Sequence, residues 1–170
     1  ENGLFIFHRD LRIQDNIGLI EASKLCSNLY TCFIFTPEQV GSENKYRSNN
    51  SIQFMIESLH ELSQEVKKKK GKLYFFHGDT IKVLKSIHKT TPVESISFNV
   101  EYTPYGKARN DLIKEFCESN NIVCISKEDY SLYNITEKES NKADGTPYLV
   151  YTPFMRNALD NLEVRPVDKF

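Results

Sequence analysis

Leu4-Phe5-Ile6-Phe7, followed at once by His8-Arg9-Asp10-Leu11-Arg12 and then Asp15-Asn16, joins an unbroken apolar run to a knot of charges. A run with no polar alternation describes a strand buried on both faces, as in parallel sheets covered by helices on each side. Four further runs read the same way: Leu29 to Phe35, Leu73 to Phe76, Ser95 to Asn99 and Ile122 to Ile125. Helical spacing fills the intervals. A first helix spans about Ile17 to Cys26, and the strongest runs from Ser51 to Lys70, with Ile52, Met55, Ile56, Leu59, Leu62 and Val66 on one face. Its closing Lys67 to Lys70 complements the helix C-terminal dipole, and Gly71 follows as a stop. Asp79 caps a helix from Thr80 to His88, and Thr103-Pro104 sets the N-cap and first turn of a helix to Glu118. With right-handed crossovers, this alternation predicts an α/β fold, a Rossmann-like doubly wound five-stranded parallel sheet in the order 3-2-1-4-5 with helices on both faces. Thr36 to Asn50 and Lys127 to Val164 read as long polar connections.

Composition narrows the function. The 170 residues fit one domain. With 22 Lys+Arg against 23 Asp+Glu, the net charge of −1 excludes a protein that holds nucleic acid or acidic membranes by bulk charge. No apolar run reaches the ~18 residues of a membrane helix. The chain opens at Glu1 without Met or a secretory segment, which reads as a fragment of a longer intracellular protein that is not secreted. Cys26, Cys32, Cys117 and Cys124 form no C-x-x-C pair and read as reduced thiols, and the scattered His8, His60, His77 and His88 predict no metal site.

In the order 3-2-1-4-5 the ligand crevice lies at the carboxyl ends of strands one and four. The candidate binding residues there are His8, Arg9 and Asp10 after the first strand, Phe35 and Thr36 after the second, and Asn99, Glu101, Tyr102 and Tyr105 after the fourth. The guanidiniums and carboxylates around Arg9 can grip a phosphate, pair with each other, or clamp a second domain. Phe35, Tyr102 and Tyr105 supply stacking surface and Asn99 and Glu101 placed polar groups, a mixture that holds flat aromatic ligands; equally, Asn99 can end a strand and Thr103 a helix. No G-x-G-x-x-G or G-x-x-x-x-G-K-[ST] occurs, which argues against conventional NAD or ATP binding, and no G-x-S-x-G supports hydrolysis. No catalytic residue is assigned.

The run Ile6 to Arg12 with Asp15, Asn16 and Leu19 closely resembles the opening signature of the DNA photolyase and cryptochrome family. Gln53 to Leu59 resembles that family's second helix, Gly78-Asp79 its third βα turn, Phe98 to Arg109 its fourth-strand segment, and Gly145 to Phe154 the stretch leading out of its N-terminal domain. The resemblance implies a light-driven repair enzyme for pyrimidine dimers, or a related photoreceptor, built from an α/β antenna domain and a helical domain that holds FAD and the lesion. On this reading residues 1–130 are the antenna-domain core and 131–170 the exit segment and start of the interdomain linker, while the FAD-binding helical domain is absent from this chain. FAD and damaged DNA are then met only through that partner domain, and the chain alone is not catalytic. Thr152 and Pro153 start a short helix to Leu162, whose Tyr151, Phe154, Met155 and Leu159 are expected to be only partly covered, leaving a face for the helical domain or for a homodimer.

Two departures from the family pattern shape the pigment expectation. The family commonly has Arg where His8 stands. Its folate-binding members carry an Asn-Glu pair where Tyr105-Gly106 stand, so a folate antenna is disfavoured and a deazaflavin, a flavin or no pigment is expected. A cryptochrome is the alternative within the family. Outside it stand a receiver-like module using Asp10, Asp79 and Lys127, which meets a basic Arg9 where an acid is needed, and a stand-alone nucleotide-binding module, which leaves Thr152-Pro153-Phe154 unexplained.

Overall fold

A computed structural model describes residues 1–136 and 138–167. Five strands, β1 (Asn2–Phe7), β2 (Asn28–Phe35), β3 (Leu73–His77), β4 (Ser95–Asn99) and β5 (Val123–Lys127), form one sheet in the order β3-β2-β1-β4-β5. Every pairing is parallel, with Phe5 opposite Thr31 and Ser97, and Phe33 opposite Phe75. The predicted order and the parallel sense are both observed.

The alternation of side chains along β1 and β2 divides the core into two layers. Phe5, Phe7, Phe33 and Leu73 point to one face and pack on Leu19 of α1 (Ile17–Leu25) and on Leu59, Leu62 and Val66 of α3 (Asn49–Lys68). Leu4, Ile6, Cys32, Ile34, Ile96 and Phe98 point to the other, where Leu84 of α4 (Thr80–Thr90) and Ile113, Phe116 and Cys117 of α5 (Pro104–Ser119) cover them. Burial raises the Cys32 thiol to about 12, so it stays neutral inside this layer.

Local chemistry sets the element ends, with some differences from the sequence reading. The side chains of Asp79 and Thr103 accept from Lys82 N–H and Gly106 N–H, as expected of caps. Helix α3 starts two residues before the predicted Ser51, because Ser48 caps it and exchanges hydrogen bonds with Ser51. Lys70, at φ 62°, takes the left-handed turn at its end, and Gly71 N–H closes onto the Val66 carbonyl. The connection read as Thr36 to Asn50 contains a further short helix, α2 (Pro37–Val40).

Past β5 the chain forms a 3-10 turn at Lys138–Ser140 and α6 (Tyr151–Asn161). Thr152 does not cap α6; Val150 precedes it, and Pro153 is tolerated in the first turn, where N–H groups have no intrahelical partner. Tyr151 and Leu159 are exposed at 74% and 68%, while Phe154 and Met155 are half-buried. Arg165 then returns to the β1–α1 loop and pairs with Asp15 at 2.6 Å. The accessible surface is 10999 Å², above the roughly 8,600 Å² that scaling gives for a compact chain of this mass. Exposed Leu149, Val150, Tyr151, Leu159, Val164 and Val167 place much of the apolar excess in the segment after β5.

The two-layer core makes a direct prediction. Leu84→Ala, at a site 1% exposed, should cost about 2–5 kcal/mol in urea unfolding. Leu112→Ala, on the outer face of α5 and 49% exposed, should change stability by less than about 0.5 kcal/mol.

Candidate functional site

The amino terminus of α1 sits where the strand order reverses, the position at which doubly wound folds receive an anionic ligand. Here the protein's own side chains take it. Ile17 N–H donates to Asp129 Oδ1 at 3.2 Å, Gly18 N–H to Asn99 Oδ1 at 3.0 Å, and Leu19 N–H to the N-cap Asn16 Oδ1 at 3.1 Å. The Asn99 amide nitrogen lies 2.6 Å from Asp10 Oδ2, 2.8 Å from Asn16 Oδ1 and 3.3 Å from Asp129 Oδ2. Asp10 also accepts from His8 N–H and from Asn16, and Arg12 closes on Asp129 at 2.7 Å. A Cβ at Gly18 would stand 2.5 Å from Asn99 Oδ1, so only glycine permits this approach. Burial raises the Asp10 carboxyl above its usual range, and the bonds from His8 N–H and the two amides offset part of that rise. The charges of this run find partners elsewhere in the fold: Arg9 reaches Glu101, Arg12 pairs with Asp129 and Asp15 with Arg165, while Asp10 is held by two amides and the His8 N–H, and the helix terminus receives the Asp129 carboxylate and two side-chain amides in place of a phosphate.

A second group lies beside the hub. Glu101 and Arg109, both buried, form an ion pair, and exposed Arg9 reaches Glu101 at 3.8 Å. A Cβ at Gly106 would strike the Glu101 side chain at 2.5 Å, which fixes glycine in the first turn of α5. The Arg109 guanidinium stands 5.5 Å from the centroid of the Tyr105 ring, and the Tyr105 hydroxyl meets Thr36 Oγ1 at 2.7 Å. His8 Nδ1 is 3.5 Å from the Asn99 carbonyl, while His8 Nε2 and Arg109 Nε are buried without a hydrogen-bond partner among the described residues. Burial, with the Arg109 charge acting in the same sense, holds the His8 ring well below its usual value and therefore neutral. A buried acceptor and a buried donor, each unmatched, are costs that the fold carries at this position.

The sequence-derived residues therefore divide. His8, Arg9, Glu101, Thr36 and Tyr105 come together with Arg109; Asp10 and Asn99 belong to the adjoining hub. Phe35 turns toward the α3 layer, its ring 4.9 Å from Phe33 and 6.2 Å from the half-exposed Phe75. Tyr102 turns to the β5 side, where its hydroxyl donates to Glu128 at 2.9 Å, and it does not join the group. Arg109, Asn16 and Asp129 were missed as site residues. Arg109 lies one helical turn beyond Tyr105 on the same face, a signal the sequence did carry. Among the described residues no cluster of three or more His, Cys, Asp and Glu could hold a metal ion, and no helix is long and apolar enough to cross a membrane.

A family model described as DNA photolyase matches residues 4–169. The chain belongs to the DNA photolyase family. Among curated relatives of this photolyase-family chain, Cryptochrome-1 of Aedes aegypti is 28% identical over 160 residues, and the (6-4)DNA photolyase of Arabidopsis thaliana is 29% identical over 165. Each comparison covers 91% of this chain and 29% of the relative, so the chain spans less than a third of their length. The archaeal photolyase from Sulfolobus tokodaii, a structure with two FAD molecules, superposes with a TM-score of 0.82 at 32% identity, covering 99% of this chain and 37% of that one. This photolyase-family domain is the N-terminal one, as the sequence resemblance implied.

The depressed His8 ring predicts a pH dependence. A histidine kept neutral in the fold binds its proton more readily when unfolded, so its contribution to stability is full above about pH 6.5 and is lost as pH falls below it. Urea titrations between pH 7.5 and 5.5 should show stability falling with a slope of up to about 1.4 kcal/mol per pH unit from this group. His8→Gln should remove that component, and an unchanged slope would assign it elsewhere.

Proposed function

We propose that this chain is the light-collecting N-terminal domain of a photolyase, holding a planar flavin or deazaflavin pigment at the carboxyl ends of β1, β2 and β4. The observation that carries this reading is the half-exposed Tyr105 ring, backed by the Arg109 guanidinium and beside the exposed Arg9. These residues fit such a pigment. Tyr105 offers a ring face and the exposed Arg9 a guanidinium for its polar edge, while Glu101 ties Arg9 and Arg109 together behind them. When bound, the pigment supplies absorption of light and transfer of the excitation onward. Gly106 and Tyr105 stand where folate-binding members carry their polar pair, which disfavours a folate. The S. tokodaii photolyase, 32% identical, holds two FAD molecules with the implication of a novel light-harvesting cofactor, which supports a flavin-type pigment here.

The exposed Leu149, Val150, Tyr151 and Leu159 form the face for an FAD-binding helical domain, and repair of pyrimidine dimers belongs to that domain. Without it the same face favours a homodimer. The similarity to Cryptochrome-1 supports a second reading, in which the same architecture serves a signalling photoreceptor.

The test is an absorption titration of the chain with FMN, a deazaflavin and a reduced folate. The flavin or deazaflavin band should shift on binding, and Tyr105→Ala should weaken that binding at least about tenfold, the scale of one lost stacking contact. Equal binding by the variant, or preference for the folate, would overturn the reading. With FAD added, the chain should show no light-dependent dimer repair.

A further inference from the structure

At the opposite, amino-terminal end of the sheet the α1–β2 and α3–β3 turns lie side by side, tied by Thr31 Oγ1 donating to the Lys72 carbonyl at 3.1 Å. Between them opens a groove of about 630 Å³ whose lining holds Lys69, Lys70 and Lys72 and no carboxylate. The carboxyl ends of α1 and α3 also point here and bring roughly half a negative charge each, so they offset about one lysine charge and leave the other of Lys70 and Lys72 in excess. The groove remains positive.

Tyr30 and Tyr74 line this groove and also a second, apolar cavity of about 230 Å³ on the α4 face. That cavity follows from the topology: α4 leaves β3 and crosses back toward β4, so it covers the middle of the sheet and leaves the β2–β3 margin open. Leu4, Cys32 and Val93 line its floor, and Ser86, Thr90 and Thr91 bring hydroxyls from the last turn of α4. Its floor carries no charge. The Tyr30 and Tyr74 rings are 6.4 Å apart, and the Lys72 ammonium stands 4.6 Å from the Tyr74 centroid, at the junction of the two spaces. An apolar cavity of about 150 Å³ already accommodates benzene, so the larger one admits a planar heterocycle.

We propose that this edge binds a nucleotide, with the planar base in the cavity against Tyr30 and Tyr74 and the phosphate on Lys70 and Lys72. Lysines alone attract any anion, and an apolar cavity alone takes any small apolar molecule. Joined across one tyrosine pair, they select a molecule that is flat and neutral at one end and anionic at the other. Base stacking on aromatic rings beside a basic groove is also how nucleic-acid strands are held, so a free nucleotide and a strand share this chemistry. The site is separate from the pigment site and does not depend on that reading.

The test is calorimetric titration of the chain at low salt with adenosine monophosphate, adenosine, inorganic phosphate and a single-stranded DNA octamer. The monophosphate should bind at least tenfold more tightly than adenosine or phosphate. Lys72→Glu should weaken it at least tenfold, and Ser86→Trp, which fills the cavity mouth from an exposed helix position, should abolish it. Thr90→Trp is the second filling variant should the first lose its helical circular dichroism. Tighter binding of the octamer, still blocked by the filling variants, identifies a strand as the source; preference for the monophosphate identifies a free nucleotide. Octamer binding indifferent to both filling variants would reduce the site to bulk attraction of a polyanion and overturn the proposal. So would absence of heat with every nucleotide, or monophosphate binding lost in Tyr105→Ala and kept in Lys72→Glu.

Discussion

The buried amide of Asn99 is the contact on which the rest of the carboxyl edge depends. It lies at the end of β4, donates into Asp10 and Asn16, and accepts the Gly18 N–H of α1. Two carboxylates, Asp10 and Asp129, are thereby brought within reach of one helix terminus, with Arg12 and Arg165 outside them. Burying either charge alone would cost several kcal/mol, and the arrangement is tolerable because two amides and the His8 N–H meet Asp10, while the Ile17 N–H, the Asn99 amide and two guanidiniums meet Asp129. The terminus of β4, the start of α1 and the loop after β5 are therefore fixed relative to one another by polar groups rather than by apolar packing.

This filling of the switch point has a functional consequence. The helix terminus that other doubly wound proteins present to a phosphate is satisfied internally, which accounts for the absence of a glycine-rich fingerprint after β1. On the proposed function, ligand chemistry is displaced sideways, to Tyr105 and Arg9 beside the buried His8 and Arg109. The segment after β5 is drawn into the same hub, since Arg165 reaches both Asp15 and Asp129 across the β1–α1 loop. The path of the chain after α6 is thus coupled, through shared carboxylates, to the groups that border the candidate pigment site. His8 in place of the family's arginine fits this picture, because a second permanent charge beside Arg109 would have to be buried next to a cation already paired with Glu101.

The amino-acid sequence determined the strands, their order and most helix ends, because those features follow from local and periodic chemistry: unbroken apolar runs, a 3.6-residue stripe, Asp79 and Thr103 as caps. The family resemblance likewise rests on contiguous motifs. Helix α3 starts and ends two residues earlier than its apolar stripe indicates, at Asn49 and Lys68, since several residues there could serve and the choice falls to small differences in hydrogen bonding. What only the tertiary structure decided is which side chains share a site. Tyr102 and Tyr105 are three residues apart, yet one faces Glu128 and the other Thr36 and Arg109. Asp129 and Arg165 reach Ile17 and Asp15 across more than a hundred residues. Direction and long-range pairing arise when separate elements pack, and no spacing along the chain encodes them.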